Sequence, residues 1–314
     1  MTLAIGVDIG GTKVAGGVVT EDGRVVAAAR RATPSSDPAS TAAAITEVVV
    51  ELRSAYDVRA VGIGAAGWID SDRSTVLFAP NLAWRDEPLR DRLEQLIGLP
   101  VVVENDANAA AWAEHRFGAA RGQRVVAMIT LGTGIGSGLV VAGEIYRGAH
   151  GIAPEFGHMC VVPGGRRCGC GNRGCWEQYA SGKALVREAR DIAVGAPLSA
   201  AALLAAGGGN ASGIDGPVVT QAALAGDPAA RECFDEVGRW LGMGMAALAS
   251  ALDPSCFVVG GGVADAGGLL LDPTRRAFEA NLPGRGFRPL PGVHLAELGN
   301  AAGLIGAADL ARAA

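Results

Sequence analysis

The chain has 314 residues, 49% of them hydrophobic, enough to bury one large core or two ordinary ones. A net charge of −5 with no basic run argues against a nucleic-acid or anionic-membrane surface. The most apolar helical stretch, Leu241 to Leu252, is too short to span a bilayer, and the N-terminus enters a strand pattern without a basic region or cleavage site.

Residues 3 to 31 read as a three-stranded meander, with turns at Gly10-Gly11-Thr12-Lys13 and Glu21-Asp22-Gly23-Arg24. A helix is expected from about Pro38 to Ser54, introduced by Ser and Asp and carrying Ile45, Val48, Val49 and Leu52 at helical spacing. Val58 to Ala65 reads as a buried strand ending in Ala66-Gly67-Trp68. After a loop at Pro80-Asn81-Leu82, a helix is expected over Leu89 to Ile97 and a strand over Pro100 to Val103. That strand delivers Asn105-Asp106 to its carboxyl end, and Ala107 to Phe117 continues as helix. At that place Asp106 suits a helix N-cap, a role that can coexist with another for its carboxylate.

Residues 125 to 147 repeat the opening: strand, a Gly-rich turn over Gly132-Thr133-Gly134-Ile135-Gly136, strand, turn, strand. One Gly-rich turn is weak evidence for phosphate binding. Two at matching positions point to two related halves, each hairpin offering backbone donors to a shared phosphate chain. Further on, Ser181 to Val194 reads as helix, and residues 196 to 228, rich in Ala, Gly and Asp, as helical pieces that carry no chemical signal. Ala229 to Leu252 is a long helix in which Gly242 and Gly244 permit close packing. The strand Ser255 to Val259 opens into Gly260-Gly261-Gly262, where a flat ring and its sugar could approach the backbone, or where the chain simply turns into the next helix. Helix Leu269 to Asn281, strand Val293 to Leu298 and helix Ala301 to Ala313 follow, the last expected to pack on the first domain.

Between the duplicated hairpin and the helix at 181 lies a cluster of different character. His158, Cys168, Cys170 and Cys175 supply three thiols and one imidazole within about twenty residues, the Cys₃His set of a closed tetrahedral zinc site. Soft thiolates disfavour Mg²⁺ and Ca²⁺, and four protein ligands leave no position for an activated water, so the ion reads as structural. Glu155 and Glu177 bracket the loop and, with the second ring nitrogen of His158, are candidates for a polar ligand. A disulfide with a spare thiol, or a zinc knot with no ligand role, remain the alternatives. The remaining cysteines, Cys160, Cys233 and Cys256, suit a reducing cytoplasm. Lysine occurs only at Lys13 and Lys183 among 27 basic residues, so a lysine inside a Gly-rich turn stands out.

These motifs together resemble the ROK family, the sugar kinases and sugar-responsive repressors of the actin-like ATPase superfamily. Asp-Ile-Gly-Gly-Thr-Lys at 8 to 13 is similar to the family's first phosphate motif, Leu-Gly-Thr-Gly-Ile-Gly at 131 to 136 to the second, and Val-Val-Gly-Gly-Gly-Val at 258 to 263 to the adenosine motif. Glu-Phe-Gly-His at 155 to 158 and Cys-Gly-Cys-Gly-Asn-Arg-Gly-Cys-Trp-Glu at 168 to 177 resemble the family signature and its zinc site. The resemblance implies an α/β, ribonuclease H-like duplicated fold with two domains around a cleft and a zinc loop. The expected division is 1–110 plus 301–314 against 111–300.

The resemblance also implies a glucokinase activity, transfer of the γ-phosphate of ATP to the 6-hydroxyl of glucose with Asp106 as general base. Asn105, Glu155, His158 and Glu177, with Gly67 and Asn81, would hold the sugar. Asp8 would position Mg²⁺, Thr12, Lys13 and Thr133 would contact phosphates, and the glycines at 10, 11, 132, 134, 260, 261 and 262 would line the nucleotide. Another hexose acceptor such as fructose, mannose or an N-acetylhexosamine, or polyphosphate as donor, is the nearest alternative. A sugar-sensing regulator would need a DNA-binding segment before the first hairpin, which begins by Asp8. A cytoplasmic homodimer or homotetramer, with no nucleic-acid or membrane partner, completes the expectation.

Overall fold

The computed structural model describes residues 2–313. The chain opens with β1 (Leu3–Ile9), β2 (Lys13–Val19) and β3 (Val25–Ala32), an antiparallel meander closed by short turns. Helix α1 (Pro38–Arg53) starts where the sequence signals it. Asp37 accepts a hydrogen bond from the Ser40 N–H at 2.8 Å, Pro38 fills the first helical position, and Ile45, Val48, Val49 and Leu52 turn inward. Next come β4 (Val58–Ala65), β5 (Trp68–Ile69), β6 (Val76–Phe78), β7 (Arg85–Glu87), α2 (Leu89–Ile97), β8 (Val101–Asn105) and α3 (Asp106–Phe117). The small sheet β5-β6-β7 has no counterpart in the sequence reading, because strands of two or three residues leave no period to detect.

The remaining elements are β9 (Val125–Leu131), β10 (Ile135–Val141), β11 (Glu144–Ile145), α4 (Gly182–Gly195), α5 (Ala201–Ala206), α6 (Gly216–Leu224), α7 (Pro228–Leu252), β12 (Cys256–Gly260), α8 (Gly268–Asn281), β13 (Gly292–Leu295) and α9 (Ala302–Ala313). The first large sheet runs β3-β2-β1-β4-β8, with β1, β4 and β8 parallel. The second runs β11-β10-β9-β12-β13, the same order position by position, which makes the duplication structural. Mixed sheets of this order, each with helices on it, constitute the α/β sugar-kinase fold that the motifs imply. No helix among the described residues is long and apolar enough to cross a membrane.

The chain divides into two compact units. The first contains residues up to Met128, Gly138–Pro154 and everything from Ala296 onward; the second contains Ile129–Ser137 and Glu155–Leu295. This differs from a division at 110 and 300, and the reason is local. Residue 110 lies inside α3, whose Ala109 carbonyl sits so close to Gly306 of α9 that a β-carbon at 306 would collide with it. Within the first unit α9 also lies directly on β1 and β4. Gly6 and Gly62 face the Leu304 and Ala307 carbonyls with no room for a side chain, so this helix packs backbone to backbone on the first sheet as expected. In the second unit the same device joins α7 to α8, where Gly242 faces the Thr274 carbonyl.

Candidate functional site

In the first unit, Asp8 is the penultimate residue of β1, and the tight hairpin that follows is closed by Gly10 N–H donating to the Lys13 carbonyl at 3.0 Å. Thr33 ties the hairpin from outside, its hydroxyl donating to the Gly10 carbonyl at 2.8 Å and its N–H to the Thr12 carbonyl at 3.1 Å. Asn81 lies beside this turn: a β-carbon on Gly11 would sit 3.3 Å from the Asn81 Cβ. Burial pushes the Asp8 carboxyl up to about 6, Asp106 adds like-charge repulsion, and Lys13 offsets part of it. Burial also raises the Asp106 carboxyl, against the Ala107 N–H that donates to it at 2.9 Å. Gly303 of α9 lies against both acids, its would-be β-carbon 3.5 Å from Asp8 Oδ1 and 3.7 Å from the Asp106 carbonyl oxygen. Two carboxyl groups that resist ionisation in one place form a natural seat for a cation or a transferable proton.

The capping role proposed for Asp106 belongs to its neighbour. Asn105 is the N-cap of α3; its Oδ1 accepts from the Ala107 and Asn108 N–H groups at 2.9 and 3.0 Å, and its Nδ2 donates to the Gly67 carbonyl at 3.0 Å. Asn105 is thereby fixed at both ends, and Gly67 faces this pair through its carbonyl. Behind them sits Glu104, fully buried. Arg147 Nε donates to its two oxygens at 3.2 and 3.0 Å, Arg73 Nε at 2.9 Å, Asn105 N–H at 2.9 Å and Asn108 Nδ2 at 3.2 Å. The sequence reading passed over Glu104, Arg73 and Arg147. The available signal was one acid at the end of Val101-Val102-Val103, since a carboxylate in a buried strand requires partners.

In the second unit, β9 and β10 flank the Gly132–Gly134 turn, and the Glu155–His158 segment is fastened to β10 by Phe156 N–H donating to Ser137 Oγ at 3.1 Å. The ligand atoms of His158, Cys168, Cys170 and Cys175 all lie within 4.8 Å of one another. Cys170 and Cys175 sulfurs are 3.6 Å apart, and Cys168 sulfur is 3.6 Å from His158 Nδ1. A tetrahedron with zinc–sulfur arms of about 2.3 Å has sulfur–sulfur edges of about 3.8 Å, so the cluster fits that ion. The disulfide alternative fails, because all six cysteines are free thiols and 3.6 Å is far beyond a sulfur–sulfur bond. His158 turns Nε2 toward Glu155, 3.9 Å from its Oε2. Glu177 accepts from the Cys168 thiol at 2.9 Å and lies over Gly134, where a β-carbon would strike its other oxygen. It therefore joins the cysteine loop to the second hairpin.

A cavity of about 880 Å³ opens beside that hairpin. Gly132, Thr133 and Gly262 line it, as do Lys183 and Asp191 of α4 and Gln221 of α6. None of the last three was assigned to a site: Lys183 and Asp191 sit on a helix that the sequence shows without saying what it faces, and Gln221 lies in the Ala- and Gly-rich stretch that carries no chemical signal. Gly261 is not among the lining residues; it adopts φ 83° and presses on the Leu131 backbone, while Val263 N–H donates to the Leu131 carbonyl at 3.1 Å. Only a glycine takes that conformation at that distance, so the motif glycines divide between building the turn and lining the cavity.

The sequence model of the ROK family matches residues 4–314. A glucokinase of Streptomyces coelicolor is 52% identical over 312 residues, which cover 99% of this chain and 98% of the relative. The crystal structure of a ROK family glucokinase from Streptomyces griseus in complex with glucose and AMPPNP superimposes with a TM-score of 0.92 at 55% identity, covering 99% of this chain and 100% of that one. A ROK hexokinase from Thermus thermophilus gives 0.80 at 35% identity, with 99% and 98% covered. With two sheets of repeated order, a Cys₃His cluster beside the second hairpin and near-complete alignment to these relatives, the chain belongs to the ROK family.

Proposed function

We propose that the chain is an ATP-dependent glucokinase, moving the γ-phosphoryl group of ATP to the 6-hydroxyl of glucose. The observation that carries this reading is the likeness over the full chain to a glucokinase holding glucose and AMPPNP. Phosphoryl transfer asks little covalent chemistry of a protein; it needs the donor phosphates held, their charge offset, and the attacking hydroxyl oriented and relieved of its proton.

Asp106 is the general base. Burial raises its affinity for a proton, which makes it a stronger base than a surface carboxylate and favours acceptance from the 6-hydroxyl. Asn105, locked between α3 and Gly67, sets the position of Asp106 and has one N–H left for a sugar hydroxyl. Gly67 and Asn81 border the same place. Glu155, His158 and Glu177 hold hydroxyls on the second unit, their orientation fixed by the cysteine loop.

Asp8 would hold Mg²⁺, which would supply positive charge to offset that of the donor phosphates. Lys13 and Thr12 on the first hairpin and Thr133 on the second contact phosphate oxygens, and the cavity lined by Gly132 and Gly262 takes the nucleoside. His158, Cys168, Cys170 and Cys175 hold a structural zinc, which would keep Glu155 and Glu177 on a rigid loop. The protein works in the cytoplasm as a homodimer or homotetramer.

A coupled assay with ATP, Mg²⁺ and a panel of hexoses, with metal analysis on the same sample, tests the proposal. Strongest turnover on glucose and one zinc per chain are expected. Faster turnover of another hexose at matched concentration removes the glucokinase assignment, and loss of turnover on every hexose removes the kinase.

A further inference from the structure

We propose that Lys183 is the phosphate-binding cation of the second hairpin, an inference that rests on the large cavity of the second unit being the nucleotide site. The first hairpin carries its own cation, Lys13, whereas the Gly132–Gly134 turn carries none. The chain supplies one from elsewhere. The first turn of α4 is clamped to the second hairpin: Gly182 N–H donates to the Gly132 carbonyl at 2.8 Å, and a β-carbon on Gly182 would lie 2.7 Å from that oxygen. Lys183 follows at once and lines the cavity beside Gly132 and Thr133.

Its head group is uncommitted, unlike the other cations on this wall. Arg190 spends its guanidinium on the Ile214 and Ser212 carbonyls, and Arg187 donates to the Gln178 carbonyl. Among the described residues the Lys183 ammonium has no hydrogen-bond or ion-pair partner. A cation in the first turn of a helix is also misplaced for the helix itself, since it meets the positive end of the dipole. An anion between the hairpin and α4 removes that conflict.

The dimensions of the cavity agree with a phosphate at this end. Lys183 and Asp191 both line it and stand eight residues apart on α4, a span of about 12 Å. Arg190 ties the Asp191 end to the start of α6, which contributes Gly216 and Gln221. The Gly132 end therefore receives the charged part of the ligand, and the α6 end the base. Lysine suits the task as a compact charge on a flexible stem that follows phosphate oxygens as they shift.

The test is calorimetric binding of adenosine and of AMPPNP with Mg²⁺ to the wild type, Lys183→Gln and Lys183→Arg. The glutamine variant is expected to bind AMPPNP about tenfold more weakly, with adenosine changed by less than about twofold, and the arginine variant to keep most of the affinity. The KM for ATP should rise in the same order. Equal losses for adenosine and AMPPNP would mean that Lys183 only shapes the cavity, and unchanged AMPPNP affinity would mean that it meets no phosphate; either overturns the inference. Failure of the nucleotide reading looks different, with the wild type binding neither compound, and it removes both claims.

Discussion

Removal of the Glu104 carboxylate gives the sharpest test of how the Asn105-Asp106 corner is built. In Glu104→Ala, Arg147 is left with 10% of its side chain exposed and without its ion-pair partner, although its two carbonyl partners at Ser71 and Asp70 remain at 2.9 and 2.8 Å. Stripping one member from a buried ion pair costs about 3–5 kcal/mol. Arg73, one-third exposed, can swing into water and adds little. The Asn105 N–H and the Asn108 amide each lose an acceptor, worth about 1 kcal/mol or more apiece. A loss of about 5–7 kcal/mol follows, against a total stability of about 5–15 kcal/mol for an ordinary domain. Urea unfolding of Glu104→Ala, Arg147→Met and the double variant measures it. The double variant should be more stable than Glu104→Ala alone, because the stranded charge has gone. A single-variant loss below about 1 kcal/mol, or a coupling near zero, would refute the assignment of Arg147 and Glu104 as one buried unit.

Asp106→Asn should lower kcat by about 10²- to 10⁴-fold while the melting temperature holds, because Asn105 rather than Asp106 caps α3; a fall of less than about tenfold in a steady-state assay excludes it as the base. For Asp8 the folded-state value near 6 lies above the ordinary 3.8, so its penalty is absent below about pH 4 and grows as pH rises through about 6. Metal-free Asp8→Asn should therefore gain about 2 kcal/mol on the wild type between about pH 4.5 and about pH 7.5, and a flat difference in denaturation across that range would contradict the burial. Cys170→Ser should lose zinc and sugar affinity together, as read by metal analysis and calorimetry, whereas full affinity without metal removes the scaffold role. Gly134→Ala places a methyl group against the Glu177 carboxylate, and should raise the KM for glucose more than that for ATP; unchanged sugar kinetics would detach Glu177 from the site.

The parts of the site written locally were legible in the sequence. Both hairpins, the Cys₃His cluster and the Asn105-Asp106 pair sit within short segments whose residue types announce their chemistry, and the duplication showed in the order of strands and turns. What escaped depends on distance along the chain. Glu104 meets Arg73 across 31 residues and Arg147 across 43, and no spacing rule connects them. The division of labour inside Asn105-Asp106 escaped for a different reason. Both residue types cap helices, and only the backbone, with Asn105 extended at φ −62° and ψ 140°, decides between them. The α4 helix was legible but not the cavity it faces, and the α6 wall was hidden by composition, because alanine and glycine pack in many ways and predict none.

The seating of α9 on Gly6 and Gly62 has a consequence for synthesis. β1 and β4 stay without one of their covering layers until α9 has been made, about 300 residues after β1. At typical elongation rates of about 5–20 residues per second, that is an interval of about 15–60 s. Ile129–Ser137 and Glu155–Leu295 form the other compact unit, to which α9 does not belong, so that unit can mature while the sheet of β1 and β4 still waits, half clothed. The nascent chain thus finishes from the middle outward, and the amino-terminal sheet is the surface that a chaperone would have most reason to hold.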